Sequence, residues 1–402
     1  MKTKGNLIFT GIFNGIFAAT LFLQLVCALL WSFGNLMDYK NFAQSENIYA
    51  ALSSYPHILP VLYLLQIAVC AVFYYLASAA FLRAFLGDKI PAVYALLITV
   101  GIMTNPYVWM MHFTLLPDSI GLSMSLLVMA YAFLFAKKAG EKKDLIYLLM
   151  SMIWFVVLGL FFKKYFMAAL PAVCFMGILA LVKLIVRDRN HPQEADQSRM
   201  GFSAIYAVGM IFVPLLLAAV TYIRLAKGTG SIEDGVAPGW MNLLFRLRLS
   251  GMSQDSFPGV SSFLKGFIKE WVAGILSPWI LALRTYPWGD SVNPFYISIL
   301  WQKAPKLTEV YLRCASAGYA LMISAALLKG FGNLFFKKKE DVKTTAVNIA
   351  ATAVCIIFPA FVNVLLCIPE FDFRNAMTAY IFWAVVAAAV MIQKKTLERE
   401  DE

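Results

Sequence analysis

Four acidic residues, Asp38, Asp118, Glu370 and Asp372, and three basic ones, Lys163, Lys164 and Arg374, are the residues of this chain best suited to act together on a phosphorylated substrate. A carboxylate can take the proton from an attacking hydroxyl or hold a metal, while fixed cations offset the charge of a departing phosphate. These residues are far apart in sequence. All of them lie at the edges of long apolar runs, so a membrane would be the device that gathers them.

Composition requires that membrane. The 402 residues are 61% hydrophobic and 14% charged, whereas a soluble domain carries roughly 25% charged residues. Runs long enough to cross a hydrocarbon core, which takes roughly 20 apolar residues, fall at 7–31, 59–82, 90–110, 119–136, 145–162, 165–182, 202–223, 308–328, 345–368 and 375–393. The first, preceded by Lys2 and Lys4, exceeds the roughly 7–15-residue core of a signal peptide and reads as a retained helix. An all-α polytopic membrane protein of about ten transmembrane helices is expected, with both ends in the cytoplasm. In that topology the cytoplasmic segments hold 20 Lys and Arg and the short outer segments 4, the bias of the positive-inside rule.

The net charge of +11 is therefore a matter of topology, and no nucleic-acid partner is expected. Long apolar runs almost free of mid-bilayer ionisable groups also lack the usual mark of an ion pump. The six cysteines are scattered, with no metal or redox spacing, and read as packing residues. The chain divides into a transmembrane module at 1–223, an extracytoplasmic region at 224–307 and C-terminal helices with a cytoplasmic tail at 308–402. Within the middle region, 271–283 (WVAGILSPWILAL) is apolar for too few residues to span and carries Pro278, so an interfacial or re-entrant helix is expected there. Residues 240–249, with Arg246 and Arg248 among apolar neighbours, suit the membrane surface.

Three local patterns give a resemblance. Met37-Asp38-Tyr39-Lys40-Asn41-Phe42-Ala43 is followed by Ser54-Tyr55-Pro56-His57-Ile58-Leu59-Pro60; Leu115-Leu116-Pro117-Asp118-Ser119 opens a later run; and Phe371-Asp372-Phe373-Arg374-Asn375-Ala376 precedes the last. In their order and sidedness they resemble the integral-membrane glycosyltransferases of the GT-C class, particularly the bacterial branch similar to protein O-mannosyltransferases and aminoarabinose transferases. Residues 159–171, with Lys164-Tyr165, add a weaker echo, and 224–307 hardly takes part.

The resemblance implies a GT-C-like fold and transfer of a sugar from a polyprenyl-phosphate donor to a glycan, lipid or protein acceptor outside the cytoplasm. Asp38 would be the catalytic base or a metal ligand, and Asp118 would orient substrate or metal. Lys164 and Arg374 would bind the donor phosphate, His57 would hydrogen-bond it, and Tyr165 would line the donor groove. Tyr39 stands where the family often has a second acid, which leaves open whether a divalent metal (Mg or Mn) is held by Asp38 and Asp118. The resemblance also implies a multi-pass protein of the cell membrane, a bacterial plasma membrane, with membrane lipid as its surroundings.

Each residue has a plainer reading beside this one. Asp38 suits a cap or a solvated loop, Asp118 a favourable helix-dipole position, the lysines snorkelling to headgroups, and Arg374 an ion pair with Glu370 or Asp372. His57 and His112 suit hydrogen-bonded structural roles, and Trp109, Trp240 and Trp288 suit interface anchors. A transporter or lipid flippase, and a GT-C-like protein without activity, are the other functions open to such a chain.

Overall fold

Apolar runs of this length leave the backbone one solution in lipid, where each N–H and C=O must be paired within its own segment. The computed structural model describes residues 59–88, 91–105, 107–108, 112, 118–141, 143–190, 197–228, 268–269, 271–283, 310, 313–314, 316–325, 327–328, 342–360 and 373–400, and no strand occurs among them. The helices are α1 (Leu59–Leu86), α2 (Ala92–Met103), α3 (Asp118–Lys138), α4 (Asp144–Phe161), α5 (Lys163–Asn190), α6 (Gln197–Gly228), α7 (Ser277–Leu283), α8 (Val342–Ala360) and α9 (Phe373–Glu400).

Five segments among the described residues are long and apolar enough to cross a membrane: Leu64–Leu86, Ser119–Lys138, Asp144–Phe161, Ala168–Val186 and Met200–Ala219. They coincide with five of the expected runs, and the protein is a helical, multi-pass membrane protein. Shorter apolar helices, Ala92–Met103, Ser316–Ala325, Ile349–Phe358 and Met377–Val390, fall within four more. The expected first run, 7–31, lies outside the described residues.

Helices α4 and α6 show why lipid is needed. Leu145, Leu149, Ile153 and Leu160 are exposed along α4, and Phe212 and Leu216 along α6. Water would oppose such faces, whereas lipid matches them. By contrast, α3 is buried over 121–136 apart from Tyr131.

The chain forms two compact units, each drawn from separate segments. One comprises Met1–Tyr131, Leu281–Glu340 and Ala384–Glu402; the other comprises Ala132–Ile280 and Asp341–Trp383. In the first, α1 packs on α2. Where one run is expected over 90–110, α2 ends at Met103. The Asn105 side-chain Oδ1 accepts the backbone N–H of Tyr107 at 3.0 Å, a local turn that competes with the helix, and Pro106 follows.

In the second unit, α4 and α5 are joined by Phe162 alone. Phe155 and Phe166 pack across the turn with ring centroids 4.7 Å apart, and a Cβ on Gly159 would stand 3.0 Å from the Phe166 ring. Farther along, a Cβ on Gly177 of α5 would meet Ile211 Cγ1 of α6 at 2.8 Å and the Ala207 carbonyl at 2.9 Å. Small residues at this contact let the backbones approach, which is how helices gain packing energy in lipid. Pro171 and Pro214 lie inside α5 and α6, which continue through them.

The segment 271–283 is helical with a turn at Leu276. At about 1.5 Å per residue it reaches roughly 20 Å, short of a span of about 30 Å. It is fastened to its neighbours by indoles: Trp271 Nε1 donates to the Ile357 carbonyl of α8 at 3.0 Å, and Trp383 Nε1 of α9 donates to the Ile275 carbonyl at 2.8 Å. Trp279 stands edge-on to Trp383 at 5.4 Å.

Candidate functional site

Three helices begin with the residues singled out for phosphate chemistry. Asp118 is the first described residue of α3, Lys163 and Lys164 are the first two of α5, and Arg374 is the second of α9. A helix start carries roughly half a positive charge from its aligned peptides. Asp118 is favoured there, while the cations of α5 and α9 are placed against the dipole. Concentrating positive charge in this way is unfavourable for the helix and favourable for an anion.

Lys164, Tyr165 and Arg374 belong to one compact unit and Asp118 to the other. Tyr165 is buried, 3% exposed, directly before the Phe166 ring that fills the α4–α5 turn. Asp38 and His57, with Glu370 and Asp372, lie outside the described residues. Among the described residues there is no group of three His, Cys, Asp or Glu side chains able to hold a metal ion.

Next to Asp118 begins a polar seam that the sequence reading passed over. Gln66, Cys70, Tyr74 and Ser78 recur every fourth residue on α1, and all four are buried. Cys70 Sγ lies 3.6 Å from Ser119 Oγ, and Ser123 Oγ donates to Cys70 Sγ at 3.5 Å, which joins α1 to α3. Above them, Gln66 Nε2 donates to the His112 carbonyl at 3.0 Å, and the His112 ring lies 6.0 Å from that of Tyr74. Burial pushes the His112 imidazole down to about 3, so it is neutral at physiological pH. The four-residue spacing of Gln66, Cys70, Tyr74 and Ser78 was visible in the sequence, where each residue and the next are neighbours on the helix surface.

The other end of α3 is finished with charge. Asp144, 4% exposed, accepts the N–H of Gly140 at 3.2 Å and that of Leu145 at 2.7 Å, and also the Ser203 hydroxyl of α6. Gly140, at φ 85°, supplies the left-handed turn that L side chains avoid. Lys183 of α5 donates to the Lys137 carbonyl and, at 3.4 Å, to that of Ala139. Final carbonyls that a helix leaves unpaired are thus held by a cation.

No protein-family model, curated protein or solved structure matches this chain. Function therefore rests on the chemistry of the residues.

Proposed function

We propose that this protein is a glycosyltransferase that moves a sugar from a polyprenyl-phosphate donor to an acceptor outside the cytoplasm, on a GT-C-like fold of about ten helices with both ends inside. The observation that carries the reading is that Asp118, Lys163, Lys164 and Arg374 each sit within the first two residues of a helix as described. The positive-inside bias assigns those starts to the outer side. Some support for the alternating topology comes from Lys183 of α5, whose ammonium reaches the carbonyls at the C-terminal end of α3.

In the proposed reaction the acceptor hydroxyl loses its proton to Asp38 as its oxygen attacks the anomeric carbon. The bond from that carbon to the phosphate oxygen breaks, with inversion. Lys164 and Arg374 offset the charge of the departing polyprenyl phosphate, whose tail stays in the lipid, while Asp118 orients the sugar. His57 hydrogen-bonds the phosphate and Tyr165 lines the donor groove. Asp118 is the only one of the two candidate metal ligands, Asp38 and Asp118, among the described residues. A Mg or Mn ion held by Asp38 and Asp118 would further offset the charge of the phosphate. The membrane is a bacterial plasma membrane, and the 224–307 region selects the acceptor.

A transporter or flippase would use helices broken near the bilayer midplane. Continuity of α5 and α6 through their prolines favours the transferase. The test is transfer from labelled polyprenyl-phosphate sugars in membrane vesicles containing the protein. Asp38→Ala should abolish transfer at an unchanged membrane level of protein. A folded, fully active Asp38→Ala protein would remove the mechanism.

A further inference from the structure

Between α6 and residue 307 the described residues are 268–269 and 271–283, and the contacts of 271–283 fix how deep it sits in the membrane. The runs 345–368 and 375–393 are consecutive spans joined by a short segment, so residues 345 and 393 lie at the same face of the bilayer. Ile357, whose carbonyl receives the Trp271 indole, is 12 residues from 345, and Trp383, whose indole reaches the Ile275 carbonyl, is 10 residues from 393. Both stretches are helical. At about 1.5 Å per residue the two backbones stand roughly 18 and 15 Å into a hydrocarbon core of about 30 Å. A helical side chain leans toward the start of its helix, which moves the Trp383 indole toward the outer face and still leaves it within the hydrocarbon.

The backbone of the segment is finished for that depth. No water is there to meet an unpaired carbonyl, so irregular backbone persists only where protein satisfies it. The Leu276 carbonyl receives the N–H groups of both Trp279 and Ile280, at 3.0 Å each, and Pro278 has no N–H to offer the Gly274 carbonyl. With the Trp279 N–H so engaged, the Ile275 carbonyl takes the Trp383 indole at 2.8 Å. Along the same segment Ile268, Val272 and Leu276, spaced four residues apart, are 54%, 42% and 42% exposed. Such a stripe would be unfavourable against water and is matched by lipid chains.

We propose that 271–283 is a re-entrant element that enters the bilayer from the outer side, is seated on α8 and α9 within the hydrocarbon, presents Val272 and Leu276 to lipid acyl chains, and returns to the outer side. A crossing is opposed by charge. It would invert everything that follows and bring the five lysines of 329–344 to the outer side, against the positive-inside rule. The depth follows from the two spans alone, whereas the side of entry rests on the topology proposed with the transferase.

Depth can be read on the unsubstituted protein in lipid nanodiscs. One preparation contains a phospholipid with a diazirine at the end of an acyl chain, a second one with the diazirine beside the ester carbonyl, and mass spectrometry locates the lipid attached on illumination. Ile153 of α4, 55% exposed and at the middle of 145–162, sets the pattern of a mid-depth residue. Val272 and Leu276 should follow it, with chain-end labelling severalfold above ester-level labelling. An equal or reversed ratio would overturn the depth and make the segment an interfacial helix, and no label from either probe would overturn the lipid-facing surface. Side is read with Lys269→Cys and Arg284→Cys, introduced one at a time against the background of the unsubstituted protein. A membrane-impermeant maleimide should reach both in right-side-out vesicles. Labelling of one alone would make the segment a crossing and overturn re-entry. Labelling of both in inside-out vesicles only would overturn entry from the outer side, and the topology of the transferase reading with it, while the depth stood.

Discussion

Helix α3 meets its neighbours by hydroxyl and thiol at one end and by charge at the other. Ser119 and Ser123, which follow Asp118 on α3, face Cys70 of α1 through sulfur–oxygen contacts of 3.5–3.6 Å. Near Lys138, the carbonyls of Lys137 and Ala139 are held by Lys183, while the Asp144 carboxylate is met by two backbone N–H groups and Ser203. The contrast separates the two jobs of polar groups in lipid. Partnered charge fixes helices to one another strongly, whereas neutral hydroxyl and thiol groups do so more weakly.

That contrast can be broken most readily by activity. If the Asp118 end serves chemistry and the Asp144 end serves assembly, Asp118→Ala should cut transfer by about 100-fold or more with normal folded yield. Asp38→Ala should cut it at least as far. Asp144→Ala should instead lower folded yield and thermal stability, by about 3 kcal/mol, because Gly140, Leu145 and Ser203 lose a charged acceptor. Size-exclusion recovery after heating would measure this loss, and Asp144→Asn should restore part of it. Equal losses of yield at Asp118 and Asp144 would erase the distinction.

A smaller effect concerns pH. His112 is held neutral down to about 3, against an ordinary value of 6.5. Between these values the unfolded chain takes up a proton that the folded chain refuses, so stability falls as pH is lowered through 6.5 and rises as pH is raised. The slope from one such group reaches about 1.4 kcal/mol per pH unit. Thermal unfolding of the wild type and of His112→Gln across pH 4–8 should show a shallower dependence in the variant. Smallest of all, Trp383→Phe should cost about 1 kcal/mol by removing the hydrogen bond to Ile275, again read by thermal unfolding.

Much of the helical architecture was legible because lipid writes it into composition. The runs at 119–136, 145–162, 165–182 and 202–223 lie almost wholly within α3 to α6. Helices α5 and α6 extend beyond them, to Asn190 and to Gly228, since hydropathy registers only the part of a helix in hydrocarbon while backbone pairing carries on into water. The end of α2 at Met103 was harder to read, as Asn105 and Pro106 interrupt a run whose apolar average conceals them. Of the candidate site, the sequence puts Asp118, Lys164 and Arg374 just before the runs at 119–136, 165–182 and 375–393, and the helices reach one or two residues farther to include them. The Asp144–Ser203 and Lys183–Lys137 contacts were not legible, because partners 59 and 46 residues apart leave no local pattern.

The edge-on indoles of Trp279 and Trp383, 5.4 Å apart, give the 271–283 segment an optical signature of its own. Two aromatic chromophores held at that distance and angle share their excited states, which makes near-ultraviolet circular dichroism a direct gauge of whether this short helix is seated against α9. The protein thus carries a built-in reporter within the region proposed to choose its acceptor, readable without label or substrate.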